Sequence, residues 1–438
     1  MRRKLVIVGS LCWYPDSLKI FLNQGWEVFY IKLSTYRHFE CNYKLYRDVG
    51  FKELYLPIEN LLSKELGKVD KNSFRNIEKI LDSDTRAIFI GGGFFNGKHW
   101  MYRHLGNSDI VQLIVFGHIS RFLKEEGFPA ITVRVFNGDV FLGDIHDLKL
   151  FTEFTTDIDY FAFENEYQKE YIECITQLKK KFIYLNMELP LKEEIEANYE
   201  NLFNFLSKEK KEVKRIGVLF MGRYFGEKEK ILREIKRSGK YFVPYIFPLR
   251  KREIFKKIYF KIRYGFDSFN LASASSVNSL IKSRRQFLRF RLLKNIFLGV
   301  GHFYDYWEYL NKGVQYLSFE ELKKANIDFF SKISCNGFSP LLYTYLNHAN
   351  KVISFLSYGI VPIIPRLEIN PLYNLLVKNK ACIAIESQED FHHIFSEISI
   401  NDILKIVDNI FNSREKFCFD KNLSVINGLL KGGSLNEG

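Results

Sequence analysis

Short uninterrupted apolar runs alternate with amphipathic stretches along this chain, and the alternation stops once and then starts again. KLVIV, EVFYI, RAIFI, AITVRVF, YFAFE and KFIYL are separated by segments such as DSLKIFLNQ and IVQLIVFGHISRFLKEE, where apolar residues recur at helical spacing. An apolar run without polar alternation has to be covered on both faces. A parallel sheet flanked by helices does this, and an antiparallel sheet with one wet face does not. Residues 1–189 therefore read as a Rossmann-like α/β domain.

The next stretch, LKEEIEANYENLFNFLSKEKKEVKR, is helical in pattern and densely charged, and it reads as a linker over 190–213. The alternation then resumes with GVLFMG, YFVPYIF, NIFLGVG, VPIIP and ACIAI. This defines a second Rossmann-like domain over 214–400, with a basic insertion at 250–300 and closing helices and a tail at 401–438. The expected fold class is α/β, with two Rossmann-like domains facing across a cleft, because ligands of such sheets bind outside the carboxyl ends of the strands.

With 438 residues, 47% of them hydrophobic, the chain can bury a large core and is not a disordered protein. Its six cysteines lie far apart with no paired spacing, so neither a zinc site nor a disulfide framework is indicated and a reducing compartment is expected. The start, MRRKLVIVGSLCWY, is basic then apolar like a secretory signal. It lacks a small-residue cleavage site, however, and runs into a Pro-Asp-Ser helix start, so it reads as a first buried strand. No run approaches the ~20 apolar residues of a spanning helix.

GVLFMGRYFGEKEKIL places Gly222 and Arg223 directly after a strand and Lys228 at the start of the next helix. Two cations and a helix N-terminus converging on one point suit a diphosphate, because backbone N–H groups and fixed positive charge both stabilise phosphate oxygens. Further on, NKVISFLSYGIVPIIPR reads as a helix, a glycine turn and a buried strand.

A strand ending in Gly-Arg, a helix with lysine, VQYLSFEELKKANIDFF, KVISFLSYGIVPII, ACIAI and EDFHHIFSEI follow one another in that order. Residues 214–400 thereby resemble the nucleotide-sugar domain of GT-B glycosyltransferases of the group 1 type. The resemblance implies a donor held by Gly222, Arg223, Lys228, Lys351, Ser354, Ser357 and Gly359, with Val352, Phe355 and Leu356 packed inward. In the retaining branch of that family a glutamate stands five residues before the glycine and another eight residues earlier. Here those positions are Ser354 and Leu346, and serine lacks the charge-assisted grip of a carboxylate on a ribose.

The first half offers the loops GSLCWYPD, GGGFFNGKHWMYRH and RVFNGDVFLGDIHD. Gly91, Gly92 and Gly93 let backbone approach a ligand closely, although they do not form a dinucleotide fingerprint. Lys98, His99, Arg103 and His104 suit an anionic acceptor. An inverting transferase needs one general base, for which Asp139, Asp144, His146, His99 and His118 are the candidates. Asp139, in an Asn-Gly-Asp turn after a strand, is preferred, while the same tripeptide is also an ordinary turn signal. No metal is expected: Asp157-Ile-Asp159 opens a strand, and His392 and His393 point to different sides of a helix. No cofactor is expected beyond the nucleotide-sugar, which serves as donor substrate.

Most of the net charge of +13 sits in one place. Between Arg250 and Val300 there are thirteen Lys and Arg against Glu253 and Asp267, a local +11. PLRKREIFKKIYFKIRYGF and SRRQFLRFRLLKNIF mix basic and apolar residues as helices at anionic membrane surfaces do. Packing onto the domain ranks second and nucleic acid third, since no RNA-binding motif accompanies the charges.

The expected activity is transfer of a hexosyl or related sugar from a nucleotide-sugar to a glycan or lipid-linked acceptor. The expected setting is bacterial surface polysaccharide synthesis (capsule, lipooligosaccharide or O-antigen), in the cytoplasm and peripheral at the inner face of the membrane. The alternatives are a catalytically inactive GT-B-like scaffold at the membrane, or another activated-phosphate enzyme, an epimerase or phosphate-group transferase, on the same fold.

Overall fold

The computed structural model describes residues 3–9, 15–33, 40–56, 71–91, 108–136, 155–166, 168–169, 172–173, 180–187, 189–209, 216–221, 227–238, 242–247, 269–270, 296–301, 350–366, 370–387 and 389–430. They fall into two compact units. Unit 1 holds the described residues up to Leu191 and again from Phe419 onward, and unit 2 holds those from Lys192 to Cys418.

Unit 1 is ordered β1 (Lys4–Val8), α1 (Pro15–Asn23), β2 (Glu27–Leu33), α2 (Glu40–Val49), β3 (Lys52–Leu56), α3 (Arg75–Glu78), β4 (Thr85–Ile90), α4 (Ser108–Glu125), β5 (Ile131–Val135), β6 (Tyr160–Phe163) and β7 (Lys181–Tyr184). The strands form a seven-stranded sheet in the order β3-β2-β1-β4-β5-β6-β7, parallel throughout. The apolar runs become the buried strands, as their composition requires: Leu5 to Val8 and Ala87 to Ile90 are almost wholly covered.

The edge strand β3 is absent from that set of runs. Its KELYL alternates, with Leu54 and Leu56 buried while Tyr55 is 53% exposed. Its charges are satisfied on the neighbouring strand, where the Tyr30 hydroxyl donates to Glu53 at 2.6 Å and Lys52 pairs with Glu27.

Unit 2 runs α5 (Lys192–Glu209), β8 (Ile216–Met221), α6 (Glu227–Arg237), β9 (Phe242–Phe247), β10 (Phe269–Asn270), β11 (Ile296–Val300), α7 (Asn350–Ser357), β12 (Val361–Pro365), α8 (Pro371–Lys378), β13 (Ile383–Ile385), α9 (Glu389–Glu397) and α10 (Ile400–Asn412). The second sheet has six strands in the order β10-β9-β8-β11-β12-β13, again all parallel.

The charged stretch expected as a linker forms α5 and packs within unit 2. Its Ile195 and Tyr199 are fully buried, and Arg414 closes on Glu196 at 2.8 Å. Helix α10 opens with a reciprocal cap between Ser399 and Asp402, and the Ser399 hydroxyl and backbone N–H hold the Asp402 carboxyl below its ordinary range.

Beyond Cys418 the chain belongs to unit 1 again. The Phe419 N–H donates to the Pro190 carbonyl at 2.7 Å and Asn422 Nδ2 donates to that of Asn186 at 2.8 Å, ahead of α11 (Leu423–Leu430). Of the basic segment 250–300, only β10 and β11 lie among the described residues. Among the described residues no helix is long and apolar enough to cross a membrane.

Candidate functional site

In unit 2 the chain passes from β8 to β9 on one side and, on the other, from β11 to β12, so the strand order diverges between β8 and β11. An open parallel sheet forms its ligand crevice at that point, outside the carboxyl ends of the two strands, because the connections leave in opposite directions there. β8 ends at Met221, so Gly222 and Arg223 are the next residues of the chain; both lie outside the described residues. Helix α6 starts at Glu227, which puts the backbone of Lys228 in its first turn on the same edge. β11 ends at Val300, and Gly301 follows.

Two glycines that the sequence reading passed over shape this edge. A Cβ on Gly301 would lie 2.9 Å from the Ile363 carbonyl oxygen, and one on Gly299 would lie 2.5 Å from Cδ2 of Phe355. Gly299 lets helix α7 settle directly on β11. Gly301 lets β11 stay beside β12 past its last paired residue, its N–H donating to Ile363 at 2.8 Å. The only sequence signal is GVG at a strand end, which has many other uses.

Helix α7 runs back from the carboxyl side of the sheet to the start of β12. Its apolar face is buried as expected, with Val352, Phe355 and Leu356 at most 1% exposed. The direction of the helix separates the residues expected at the nucleotide. Lys351 is in the first turn, on the ligand edge, and Ser354 is in the middle, 6% exposed.

Ser357 and Gly359 instead sit at the opposite end, where they terminate the helix rather than face a ligand. The Ser357 hydroxyl is buried and donates to the Ile353 carbonyl at 2.8 Å. Gly359 adopts φ 64°, which turns the chain into β12 while the Ile360 N–H donates to Phe355 at 2.9 Å. From α5, Asn198 Nδ2 and the Tyr199 hydroxyl donate to the last carbonyls, Ser357 at 3.1 Å and Leu356 at 3.0 Å. Those bonds cap the carboxyl end of the helix.

In unit 1 the order diverges between β1 and β4. Gly9 follows β1 with φ 80°, and its carbonyl accepts the Tyr46 hydroxyl at 2.8 Å. Gly91 follows β4 and its N–H donates to Val8 at 3.0 Å, so the first glycine of the Gly91–Gly93 turn stands at this crevice. Gly92, Gly93, Lys98, His99, Arg103, His104, Asp139, Asp144 and His146 lie outside the described residues.

His118 lies elsewhere: on α4 it bonds Glu78 at 2.9 Å and stacks on Phe74 with centroids 3.8 Å apart, a helix-to-helix contact. Asp157 and Asp159 precede β6, at the amino edge of the sheet. Asp157 pairs with Arg121, and Asp159 accepts from the Thr132 N–H and hydroxyl, both at 2.8 Å. His392 bonds Glu234 at 3.0 Å and His393 bonds Glu397 at 2.9 Å. Burial pushes the Cys382 thiol up to about 12.

No family model matches the chain, and no curated protein matches it. Solved structures do. The HepE protein of Anabaena in complex with UDP-glucose is similar over 98% of this chain and 100% of its own, with a TM-score of 0.53 and 8% identity. A glycosyltransferase from Rickettsia africae is matched over 98% of this chain and 99% of its own, with a TM-score of 0.49 and 10% identity. The fold is shared with HepE along essentially the whole chain, in agreement with the GT-B resemblance read from the sequence. At such identity the likeness is one of fold.

Proposed function

We propose that this protein is a GT-B-type glycosyltransferase that moves a sugar, hexosyl or related, from a nucleotide-sugar to a glycan or lipid-linked acceptor. The observation that carries the reading is the coincidence of two independent lines at the unit 2 crevice. The topology directs a ligand to the ends of β8 and β11, and the Gly-Arg and first-turn lysine expected to hold a diphosphate come next in the chain there. The shared fold with a UDP-glucose-bound protein supports the same ligand class.

In this reading Arg223 and Lys228 neutralise charge as it develops on the leaving diphosphate. Lys351 and Ser354 hold the nucleotide from α7, and Asp139, or a neighbouring histidine such as His99 or His146, takes the acceptor proton. The crevice of unit 1, at Gly9 and Gly91, receives the acceptor.

The test is a thermal-shift screen against UDP, GDP, CDP, CMP and their sugar conjugates, repeated with Arg223→Ala, since a ligand of the folded state raises apparent stability. One nucleotide is expected to raise the melting temperature, and Arg223→Ala is expected to weaken its binding about ten- to a hundredfold through the lost charge-assisted bonds. A set of null shifts would remove the donor site. Binding without turnover of any sugar conjugate would leave a scaffold on this fold, for which the serine at position 354 in place of a glutamate speaks.

The setting completes the proposal: a step of bacterial surface polysaccharide synthesis at the inner membrane face, with residues 250–300 on anionic lipid. Full-length protein is expected to co-sediment with vesicles containing phosphatidylglycerol, and not with neutral ones, and to be released as salt is raised, because screening shortens the reach of exposed charges. Equal binding to neutral vesicles would count against this.

A further inference from the structure

Within unit 2, two neighbouring side chains of α5 grip the last two carbonyls of α7, the helix whose amino end opens on the ligand edge of the sheet. Asn198 Nδ2 donates to Ser357 and the Tyr199 hydroxyl to Leu356, at 3.1 and 3.0 Å. Leucine and phenylalanine at those two places would bury comparable apolar surface. What the polar groups add is direction, because a hydrogen bond weakens steeply away from its axis and apolar contact does not.

The two donors stand on a fixed base. Asn198 is 7% exposed and Tyr199 is fully buried, its ring centre 5.1 Å from that of Phe411 on α10, and Arg414 beyond α10 closes on Glu196 of the same helix. Bonds from adjacent residues to adjacent carbonyls set the last turn of α7 both along its axis and about it. A helix moves as a rod, and Ser354 lies three residues, about 4.5 Å, from Ser357. A shift of the last turn therefore reaches Ser354 and the first turn almost undiminished.

We infer that Asn198 and Tyr199 are positioning residues for donor binding: from α5 they set the height and rotation of α7, and so the place where Ser354 and the first turn meet the nucleotide. The inference rests on the donor site proposed above for unit 2. It separates from a purely structural role because the Leu356 carbonyl also accepts the Gly359 N–H at 3.2 Å. Removing the Tyr199 hydroxyl thus leaves that buried acceptor satisfied, and the helix keeps its fold while losing its fixed placement.

Calorimetric titration of the full-length protein with UDP, GDP and CDP tests this. For the nucleotide that binds, Tyr199→Phe is expected to weaken affinity about threefold, Asn198→Ala about fivefold and the two together about tenfold. Each single variant should lower the ligand-free melting temperature by about 2–4 °C. Ile403→Val, buried in α10, should lower it by a similar amount and leave affinity at the wild-type value. In a Ser354→Ala background the tenfold loss should shrink to about threefold or less, because a positioning residue acts through the group it places. Wild-type affinity in both α5 variants, an equal loss in Ile403→Val, or an undiminished loss without the Ser354 hydroxyl would overturn the assignment while leaving the donor site intact. If the wild-type protein binds none of the three nucleotides, the donor site and this inference fall together.

Discussion

Phe136→Ala is expected to destabilise unit 1 by about 3–5 kcal/mol, the cost of a deleted ring plus the cavity that remains. Phe136 comes directly after β5 and is 1% exposed. It stacks on Phe163 with centroids 5.0 Å apart and meets Phe161 edge-on at 5.4 Å. Its N–H donates to the Ala162 carbonyl at 2.9 Å. The guanidinium of Arg134, itself 3% exposed, lies 5.1 Å from the ring centre, so the variant also strips a buried cation of its aromatic face.

The residue after Phe136 begins the Asn-Gly-Asp stretch that carries Asp139, so this cluster anchors the chain where it enters the proposed base. Urea unfolding measures the stability change, and Phe136→Leu, which refills part of the space, is expected to lose less than half as much. In the folded fraction, sugar transfer should fall while nucleotide affinity holds, because the donor site belongs to the other unit. A loss under about 1 kcal/mol would show that the cluster relaxes around the cavity.

Gly299→Ala is the second large effect, of about 2–3 kcal/mol in unit 2, from overpacking a closed core. The added Cβ would stand 2.5 Å from Cδ2 and 2.6 Å from Cε2 of Phe355, whose ring is 1% exposed and has no room to retreat. Helix α7 would have to lift from β11, carrying Lys351 and Ser354 with it, so nucleotide affinity is expected to fall together with stability.

For a unit of this size the melting temperature should drop about 4–12 °C. Phe355→Leu made in the Gly299→Ala background should recover a large part of that, giving a coupling energy of about 1 kcal/mol or more in the double-mutant cycle. Strict additivity of the two changes would mean that the contact does not limit the packing.

β1, β2, β4 to β6, β8, β11 and β12 are legible because a strand buried on both faces leaves a continuous apolar run. β3 was not, because an edge strand is half wet and KELYL spends its charges on Glu27 and Tyr30 of the strand next to it. The Gly-Arg after β8 reads as a phosphate motif and lies outside the described residues. The same reasoning grouped Ser357 and Gly359 with Lys351, since a linear motif carries no information on which end of a helix meets the ligand.

Period and polarity thus determined, by themselves, that this chain makes two parallel α/β sheets and that one glycine turn joins a helix to a buried strand after Ser357. Those properties are local: they depend on which residues must leave water within one element. The tertiary structure decided which strand ends lie side by side, that Gly299 faces Phe355, that α5 closes the end of α7, and that Arg366 meets Glu386. These depend on contacts between segments far apart in the chain, where strand order and register, absent from any local pattern, choose the neighbours.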